Sequence, residues 1–341
     1  MALETTNEAP PSRAPRLKKA RRFALRAGGV LLVIGVVGTF VLLRDPLPRM
    51  MARRSAVANV TEGLPVIENG HVMTPVRVTA ASGLTVDIMV RTSPGQHRRS
   101  PLAIILGGHL TGSRSVKLIG ETPGVVVAGI SYPFDGDPRP SALTFLRDLP
   151  AIRGAFLDTP PAVQLALDYL LSRPDVDPAR VEAIGVSLGA PFVTIAGALD
   201  PRITRVWAVH GSGGSYAPLE SNMRRSIKFA PLRAVAAATA TVIIAGPHLD
   251  PVRWVPHVAP RPFMMVNATD DERMPKDAVE RLYQSAGEPK ELIWMPGRHI
   301  RGDSATISGI LAIVLSRINV DARQATVEPS NRAAAPRRPI G

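Results

Sequence analysis

The sequence predicts an α/β fold with a mostly parallel central sheet and helices on both faces. Two continuous apolar runs, Leu102–Leu106 and Val125–Tyr132, are typical of strands that are buried on both faces. A third predicted buried strand begins at Val181 and leads into Gly185, and it lies between two segments whose apolar residues recur at helical spacing, Pro161–Arg173 and Pro191–Leu199. Such alternation indicates a parallel sheet, because a parallel connection needs a crossover of helix length.

Composition agrees with one large folded domain. The chain has 341 residues, of which 45% are hydrophobic, and this is enough to build a sizeable core. Residues 1–60 contain 11 Lys and Arg against 3 Asp and Glu, whereas residues 61–320 contain 26 against 23. The excess positive charge therefore lies mainly at the ends, and no nucleic-acid-binding face is predicted. The absence of cysteine excludes disulfides and a cysteine nucleophile.

The N-terminal residues predict a membrane anchor. Residues 1–26 form a basic segment, expected to be cytoplasmic, and residues 27–43 form an uncharged apolar run at the short end of what spans a bilayer. By the positive-inside rule, a signal anchor there places the rest of the chain on the extracytoplasmic side, periplasmic or extracellular. The alternative is a protein secreted after signal cleavage, although no small-x-small site follows Leu43.

The next elements follow in order. Residues 44–71 are predicted to be a linker, and residues 72–320 are predicted to be the folded domain. A hairpin is expected at its start, because Val76–Thr79 and Leu84–Thr92 alternate apolar and polar residues around a turn that contains glycine. The glycine-rich loop Gly107–Gly112 lacks the Lys and Ser/Thr that a phosphate-binding loop requires, so it is predicted to be an oxyanion loop.

The stretch Gly185-Val-Ser-Leu-Gly189 has the pattern of a nucleophile elbow, a sharp turn between a strand and a helix. The serine of such a turn has a strained backbone, and flanking glycines avoid collisions. Ser187 is therefore the predicted nucleophile. Two backbone N–H groups are expected to bind the oxyanion, one at Leu188 and the other at His109 or Leu110.

A serine nucleophile needs a base, and the base needs a carboxylate. Asp270 and Asp271 follow the predicted strand Phe263–Asn267, and His299 follows the next predicted strand. Because the carboxyl ends of parallel strands meet at one edge of a sheet, these groups are expected to lie close to Ser187. The seven histidines contain no HExxH or similar spacing, so neither a metal nor another cofactor is predicted.

Two segments between these motifs leave alternatives open. Ile227–Ala245 is apolar and rich in alanine, and it is either one crossover helix or a small helical cap over Ser187. His210–Ser215 is rich in glycine and serine and resembles an active-site loop, but it lacks the strand and helix of an elbow and is predicted to be a turn. Ile307–Ile318 is predicted to be the last helix covering the sheet, and residues 321–341 are predicted to be a disordered tail.

These motifs together resemble the α/β-hydrolase superfamily over residues 72–320. The segment Leu249–Asp271 is similar to the branch of dienelactone hydrolases and acetyl xylan esterases. Members of that branch commonly have an Asp followed by two residues, an apolar residue and Pro, and Asp271-Glu-Arg-Met-Pro275 fits that spacing. The resemblance favours Asp271 over Asp270 as the partner of His299, and it implies ester hydrolysis through an acyl-enzyme on Ser187.

The expected function is therefore that of a membrane-anchored serine hydrolase that acts on a small-molecule ester. A peptidase or an acyltransferase with the same triad is one alternative, because the elbow does not choose between water, an amine and an alcohol. The other alternative is a catalytically silent hydrolase fold that serves as a binding module.

Overall fold

The computed structural model describes residues 25–318, except for residues 27, 31, 34, 41, 96, 97, 109, 110, 138–140 and 301–304. His109 and Leu110, the two candidates for the second oxyanion donor, lie outside the described residues. So do most of the predicted basic segment and the whole of the predicted tail over residues 321–341. The chain divides into two compact units, Met1–Arg44 and Asp45–Gly341.

In the first unit, the described residues between 25 and 42 are helical. Among the described residues, no helix is both long enough and apolar enough to cross a membrane. The membrane-spanning helix predicted over residues 27–43 is therefore not supported. Four positions of that run, residues 27, 31, 34 and 41, lie outside the described residues.

The second unit is built on a sheet that has ten strands in its described part. The strands are β1 (Val57–Glu62), β2 (Val66–Glu68), β3 (His71–Ala80), β4 (Thr85–Thr92), β5 (Ser100–Leu106), β6 (Val126–Ile130), β7 (Val176–Val186), β8 (Arg205–Val209), β9 (Phe263–Ala268) and β10 (Lys290–Met295).

Their order is β1-β3-β4-β6-β5-β7-β8-β9-β10, and β2 pairs with β3. Each strand of the run β6-β5-β7-β8-β9-β10 is parallel to its neighbours in that run, whereas the pairs that involve β1 to β4 are antiparallel. The predicted mostly parallel sheet is confirmed. So is the predicted hairpin, because β3 pairs with β4 and places Thr79 opposite Thr85.

Helices cover both faces of this sheet, as predicted. They are α1 (Leu47–Arg53), α2 (Ala142–Leu170), α3 (Gly189–Leu199), α4 (Tyr216–Met223), α5 (Ala230–Ile243), α6 (Gly246–Leu249), α7 (Pro251–Trp254), α8 (Lys276–Ser285) and α9 (residues 305–318), with 3-10 helices at Gly112–Lys117 and Val255–Val258. One buried cluster contains Val163 of α2 and Phe192 of α3. A second contains Ile310 and Val314 of α9, which confirms the predicted last helix.

Residues 44–71, predicted to be a linker, instead contain α1, β1 and β2. The prediction was wrong there because the side chains of β1 are exposed along its whole length, so the sequence carries no apolar alternation. Backbone hydrogen bonds to β3 hold this strand, with Val60 opposite Val78. In α1, Met50 is 2% exposed and packs into the core.

Helix α2 is longer than the predicted helix over Pro161–Arg173. It begins after Ser141, whose hydroxyl accepts the backbone N–H of Thr144 at 3.2 Å as an N-cap. Pro160 and Pro161 lie inside it. Proline is common at a helix start and costly in its interior, so the sequence favours a later start than the structure has.

Candidate active site

Ser187 lies on the sharp turn between β7 and α3. Its φ is 53°, in the left-handed region that residues other than glycine rarely adopt. A Cβ atom at Gly189 would collide with the carbonyl oxygen of Leu106, and one at Gly185 would collide with the side chain of Val193. The close approach of α3 to the sheet therefore requires both glycines, and the turn has the geometry of the predicted elbow.

The structure brings Ser187, His299 and Asp271 into one chain of hydrogen bonds. Ser187 Oγ lies 2.9 Å from His299 Nε2. His299 Nδ1 lies 3.0 and 2.8 Å from Oδ1 and Oδ2 of Asp271. An ionised carboxylate only accepts, so the proton of His299 lies on Nδ1 and Nε2 is left to accept the serine proton. This arrangement suits a serine nucleophile with a histidine base.

Asp271 is buried, with 2% of its side chain exposed. Backbone N–H groups of Arg273 and Met274 donate to its Oδ1 at 2.8 and 3.0 Å. Burial alone raises the pKa of Asp271, but hydrogen bonds from His210 and His299 outweigh it and hold the pKa well below its ordinary value. The carboxylate is therefore anionic and can stabilise a protonated His299.

Asp270 does not join this chain. Its side chain is exposed, its Oδ2 accepts the hydroxyl of Thr269 at 3.1 Å, and its backbone N–H donates to the carbonyl of Gly297 at 2.9 Å. Of the two adjacent aspartates, the structure therefore directs only Asp271 toward His299.

His210 is a site residue that the sequence analysis missed, because it was assigned to a turn. It is 2% exposed, its Nδ1 lies 2.8 Å from Oδ2 of Asp271, and its ring centroid lies 5.0 Å from that of His299. Since Asp271 is ionised, His210 donates this hydrogen bond. A signal was present in the sequence: His210 directly follows β8, whose neighbours in the sheet carry Ser187 and Asp271 at their carboxyl ends.

The loop of His299 is fastened to the loop of Asp271. The backbone N–H of His299 donates to Oε2 of Glu272 at 3.2 Å. Arg225, beyond α4, contacts Oε1 of the same glutamate at 2.9 Å. The position of His299 therefore depends on Glu272, the residue next to Asp271.

Two described features lie where the sequence predicts the oxyanion donors. Leu188 caps the N-terminal end of α3, where the first N–H groups of a helix have no partner within the helix. Gly108, in the glycine-rich loop after β5, is so close to Ser187 that a Cβ at this glycine would lie 3.8 Å from the serine Cβ. The loop of the second predicted donor is therefore adjacent to Ser187.

A cavity of about 930 Å³ opens beside Ser187 and His299, and its walls are mostly apolar. Both faces of the sheet contribute, through Phe156, Phe192 and Leu249 on one side and Ile119 and Ile310 on the other, and Leu311 lines the cavity next to Ile310 on α9. Leu219 of α4 and Ile244, directly after α5, also line it. The segment that was either a crossover helix or a cap therefore forms part of the cavity wall, which favours the cap.

His210, Asp271 and His299 also have the donor types of a metal site, with ligand atoms within 4.8 Å of one another. Both Nδ1 atoms, however, lie 2.8 Å from the same oxygen of Asp271, the distance of an N–H donor from its acceptor. A cation on these atoms would displace both hydrogen bonds. The arrangement fits a proton network better than a metal centre.

No known protein-family model matches the chain. Two curated relatives, both called uncharacterized protein YfhR, come from Escherichia coli O157:H7 and Escherichia coli strain K12. Each is 26% identical over 139 residues, which is 40% of this chain and 44% of the relative. The match thus spans less than half the length of these relatives.

Solved structures match over more of the chain. Acetyl xylan esterase 1 from Thermoanaerobacterium sp. is 15% identical with a TM-score of 0.56, over 82% of this chain and 93% of that one. Acetyl xylan esterase from Paenibacillus sp. R4 is 17% identical with a TM-score of 0.55, over 80% and 91%. A cold-adapted esterase from an Arctic intertidal metagenomic library is 16% identical with a TM-score of 0.52, over 75% and 97%. At these identities the likeness concerns the fold.

Proposed function

We propose that this chain, which has the α/β-hydrolase fold, is a serine hydrolase that cleaves carboxylic esters through an acyl-enzyme. The observation that carries the proposal is the hydrogen-bonded chain from Ser187 Oγ through His299 to Asp271, at the wall of a large apolar cavity. Each group has the chemistry its role requires: a hydroxyl, a base and an anion that fixes the base.

The reaction proceeds in two halves. Ser187 Oγ attacks the acyl carbon while His299 Nε2 takes the hydroxyl proton, and the N–H of Leu188 stabilises the oxyanion together with an N–H from the loop after β5. The tetrahedral intermediate collapses as His299 gives the proton to the departing alkoxide, which leaves an alcohol and an ester on Ser187. Water then attacks that ester with His299 again as base, and the carboxylic acid leaves.

Esters are proposed rather than amides because the solved structures that share the fold include acetyl xylan esterases and a further esterase. The same residues serve a peptidase or an acyltransferase, so these remain outcomes of the test. A silent binding module is disfavoured by the complete hydrogen-bonded chain, since a binding role requires neither the strained serine nor its base.

The test uses the full chain with 4-nitrophenyl esters of short to long acids, next to labelling by a fluorophosphonate probe. Ser187→Ala should abolish labelling and lower kcat by at least about a thousandfold. The matched control is Ser226→Ala, a serine that is exposed and does not line the cavity. Absence of both turnover and labelling in the wild type would overturn the proposal, and cleavage of amides at a comparable rate would favour a peptidase.

We further propose, from the sequence alone, that the folded unit lies outside the cytoplasm. The support is the basic segment followed by an uncharged apolar run. Fractionation of cells that express the full chain tests this: activity in the membrane fraction supports an anchor, activity in the soluble extracytoplasmic fraction supports cleavage, and activity confined to the cytosol contradicts export.

A further inference from the structure

The described lining of the cavity beside Ser187 contains one fixed charge. Of the described residues that line it, Arg273 is the only Arg or Lys, and none is Asp or Glu. Apart from His299, the other polar lining side chains are neutral, such as Thr111 and Asn222. Arg273 is half-buried, so a ligand that covers it has to supply the opposite charge, because an uncompensated charge removed from water is costly.

The guanidinium of Arg273 has no partner in the described part of the chain. Its Nε is buried and makes no hydrogen bond. The adjacent carboxylates are engaged elsewhere: Glu272 lies 2.9 Å from Arg225 and 3.6 Å from Arg298, and Asp271 accepts from two histidines. The two terminal nitrogens likewise have no partner among the described residues, and Arg273 lines the cavity, so these nitrogens are the donors that a ligand in the cavity would meet.

The backbone fixes Arg273 relative to the reacting groups. Its N–H donates to Oδ1 of Asp271 at 2.8 Å, so the arginine is tied to the carboxylate that orients His299. An anion bound by its side chain would therefore lie in the same cavity as Ser187 and His299. Binding energy from a group remote from the reacting bond is a common means of positioning a substrate.

We infer that the esters cleaved by this chain carry a carboxylate, which Arg273 binds while the apolar part of the molecule occupies the cavity. This inference rests on the proposed function. The planar guanidinium matches a carboxylate through two parallel hydrogen bonds. A carboxylate also balances one positive charge, whereas a phosphate dianion would need a second cation, and the described lining has none.

The experiment compares matched esters of one length. Mono-4-nitrophenyl adipate, pimelate and suberate end in a carboxylate, and their controls end in the neutral amide of the same shape. The wild type should prefer the carboxylate at one or more lengths. Arg273→Met should lower kcat/KM for that ester by about 10- to 100-fold, mainly through KM, because a hydrogen-bonded charge is lost. The same substitution should change kcat/KM for the control ester that ends in an amide less than threefold.

Two further variants sharpen the result. Arg273→Lys keeps the charge but loses the planar fork, so part of the preference should remain. Arg224→Met removes an exposed charge that is paired with Glu220 outside the cavity, and it should keep the preference. Thermal melts report whether each variant is folded. The preference of the wild type for the carboxylate ester is measured without any variant, so it does not depend on how the variants fold.

Three outcomes overturn the inference. A wild type that cleaves both series equally removes its basis, while the proposed function stands. An Arg273→Met variant that is folded and loses both series equally assigns the arginine a structural role. A wild type that cleaves no ester and is not labelled at Ser187 overturns the proposed function itself, so the two failures are distinguishable.

Discussion

At the scale of single residues, the site is organised around an anion with four donors. Asp271 Oδ2 accepts from His210 and His299, and Oδ1 accepts from two backbone N–H groups. These bonds hold the pKa of Asp271 below its ordinary value against the opposing effect of burial. A carboxylate held in this way orients His299 and also contributes to folding stability.

The stability contribution of Asp271 should depend on pH in a defined direction. Its pKa is lower in the folded chain than in the unfolded one, so its ionised form stabilises the fold above about pH 4 and this contribution is lost as pH falls below that value. We expect the difference in unfolding free energy between wild type and Asp271→Asn to be larger at pH 7 than at pH 3. Urea titrations measure it, with each unit of depressed pKa corresponding to about 1.4 kcal/mol.

Asp270→Asn is the matched control for Asp271→Asn, because it makes the same change at the neighbouring residue. The carboxylate of Asp270 is exposed, and among the described residues it accepts a side-chain hydrogen bond from the hydroxyl of Thr269 alone. We expect its unfolding free energy to follow that of the wild type within about 0.5 kcal/mol, as for most surface substitutions. Esterase activity should fall about 10⁴-fold with Asp271→Asn and less than threefold with Asp270→Asn. The reverse order would reject Asp271 as the partner of His299.

His210 should affect the base through the shared carboxylate. His210→Leu removes one donor from Asp271, so the carboxylate interacts more strongly with a protonated His299. We expect the acidic limb of kcat/KM against pH to move to higher pH, and the unfolding free energy to fall by about 1.5–3 kcal/mol. His210→Asn retains a donor near the position of Nδ1, so its acidic limb should lie closer to that of the wild type than the limb of His210→Leu does. If His210→Leu lowers the melting temperature but leaves the acidic limb unchanged, His210 contributes packing and does not act on His299.

At the scale of elements, the elbow depends on how closely α3 approaches the sheet. A Cβ at Gly189 would meet the carbonyl oxygen of Leu106, which is backbone and cannot rotate away. We expect Gly189→Ala to lower the unfolding free energy by at least about 2 kcal/mol and to abolish activity, because α3 must shift and carry Ser187 with it. Differential scanning calorimetry and the ester assay measure the two effects.

Gly154→Ala is the comparison at a second helical glycine. Gly154 lies inside α2, and the nearest atom to an added Cβ would be a terminal nitrogen of Arg49 at 3.6 Å, an ordinary contact. This change should raise the unfolding free energy by about 0.5–1 kcal/mol through helix propensity. Equal effects at the two glycines would argue against the close approach as the cause.

The elements also show which parts of this fold are legible in the sequence. Strands such as β5 and β6 are predictable because they are buried on both faces and therefore continuously apolar. Strand β1 is not, because its side chains are exposed and its pairing with β3 uses backbone groups that every residue has. Helix α2 is underestimated because its interior prolines resemble a helix start.

At the scale of the whole molecule, the parallel order of strands makes the site predictable. Ser187, His210, Asp271 and His299 each follow a different strand of one parallel run, so they meet at its carboxyl edge although up to 112 residues separate them. The cavity is less predictable, because its walls come from helices distant in sequence whose apolar faces resemble ordinary core faces. The orphaned charge of Arg273 is likewise invisible without the contacts around it.

The two-sided cavity leads to a prediction about substrate length. Leu311 lines it from α9, on the face of the sheet opposite Phe192, while its neighbour Ala312 is exposed on the same helix. Leu311→Trp adds bulk inside the cavity, so kcat/KM for a 12-carbon 4-nitrophenyl ester should fall at least about tenfold. The kcat/KM for the 4-carbon ester should change less than threefold, because its short acyl group does not need the part of the cavity beside α9.

Ala312→Trp adds the same bulk to the outer face of α9 and should leave both esters unchanged. The comparison separates loss of space in the cavity from a general disturbance of the helix. If Leu311→Trp lowers kcat/KM for both esters to the same extent, the part of the cavity beside α9 does not hold the acyl chain. The acyl group would then occupy the side lined by Phe156 and Phe192, and the corresponding change there, Phe192→Trp, should produce the length dependence instead.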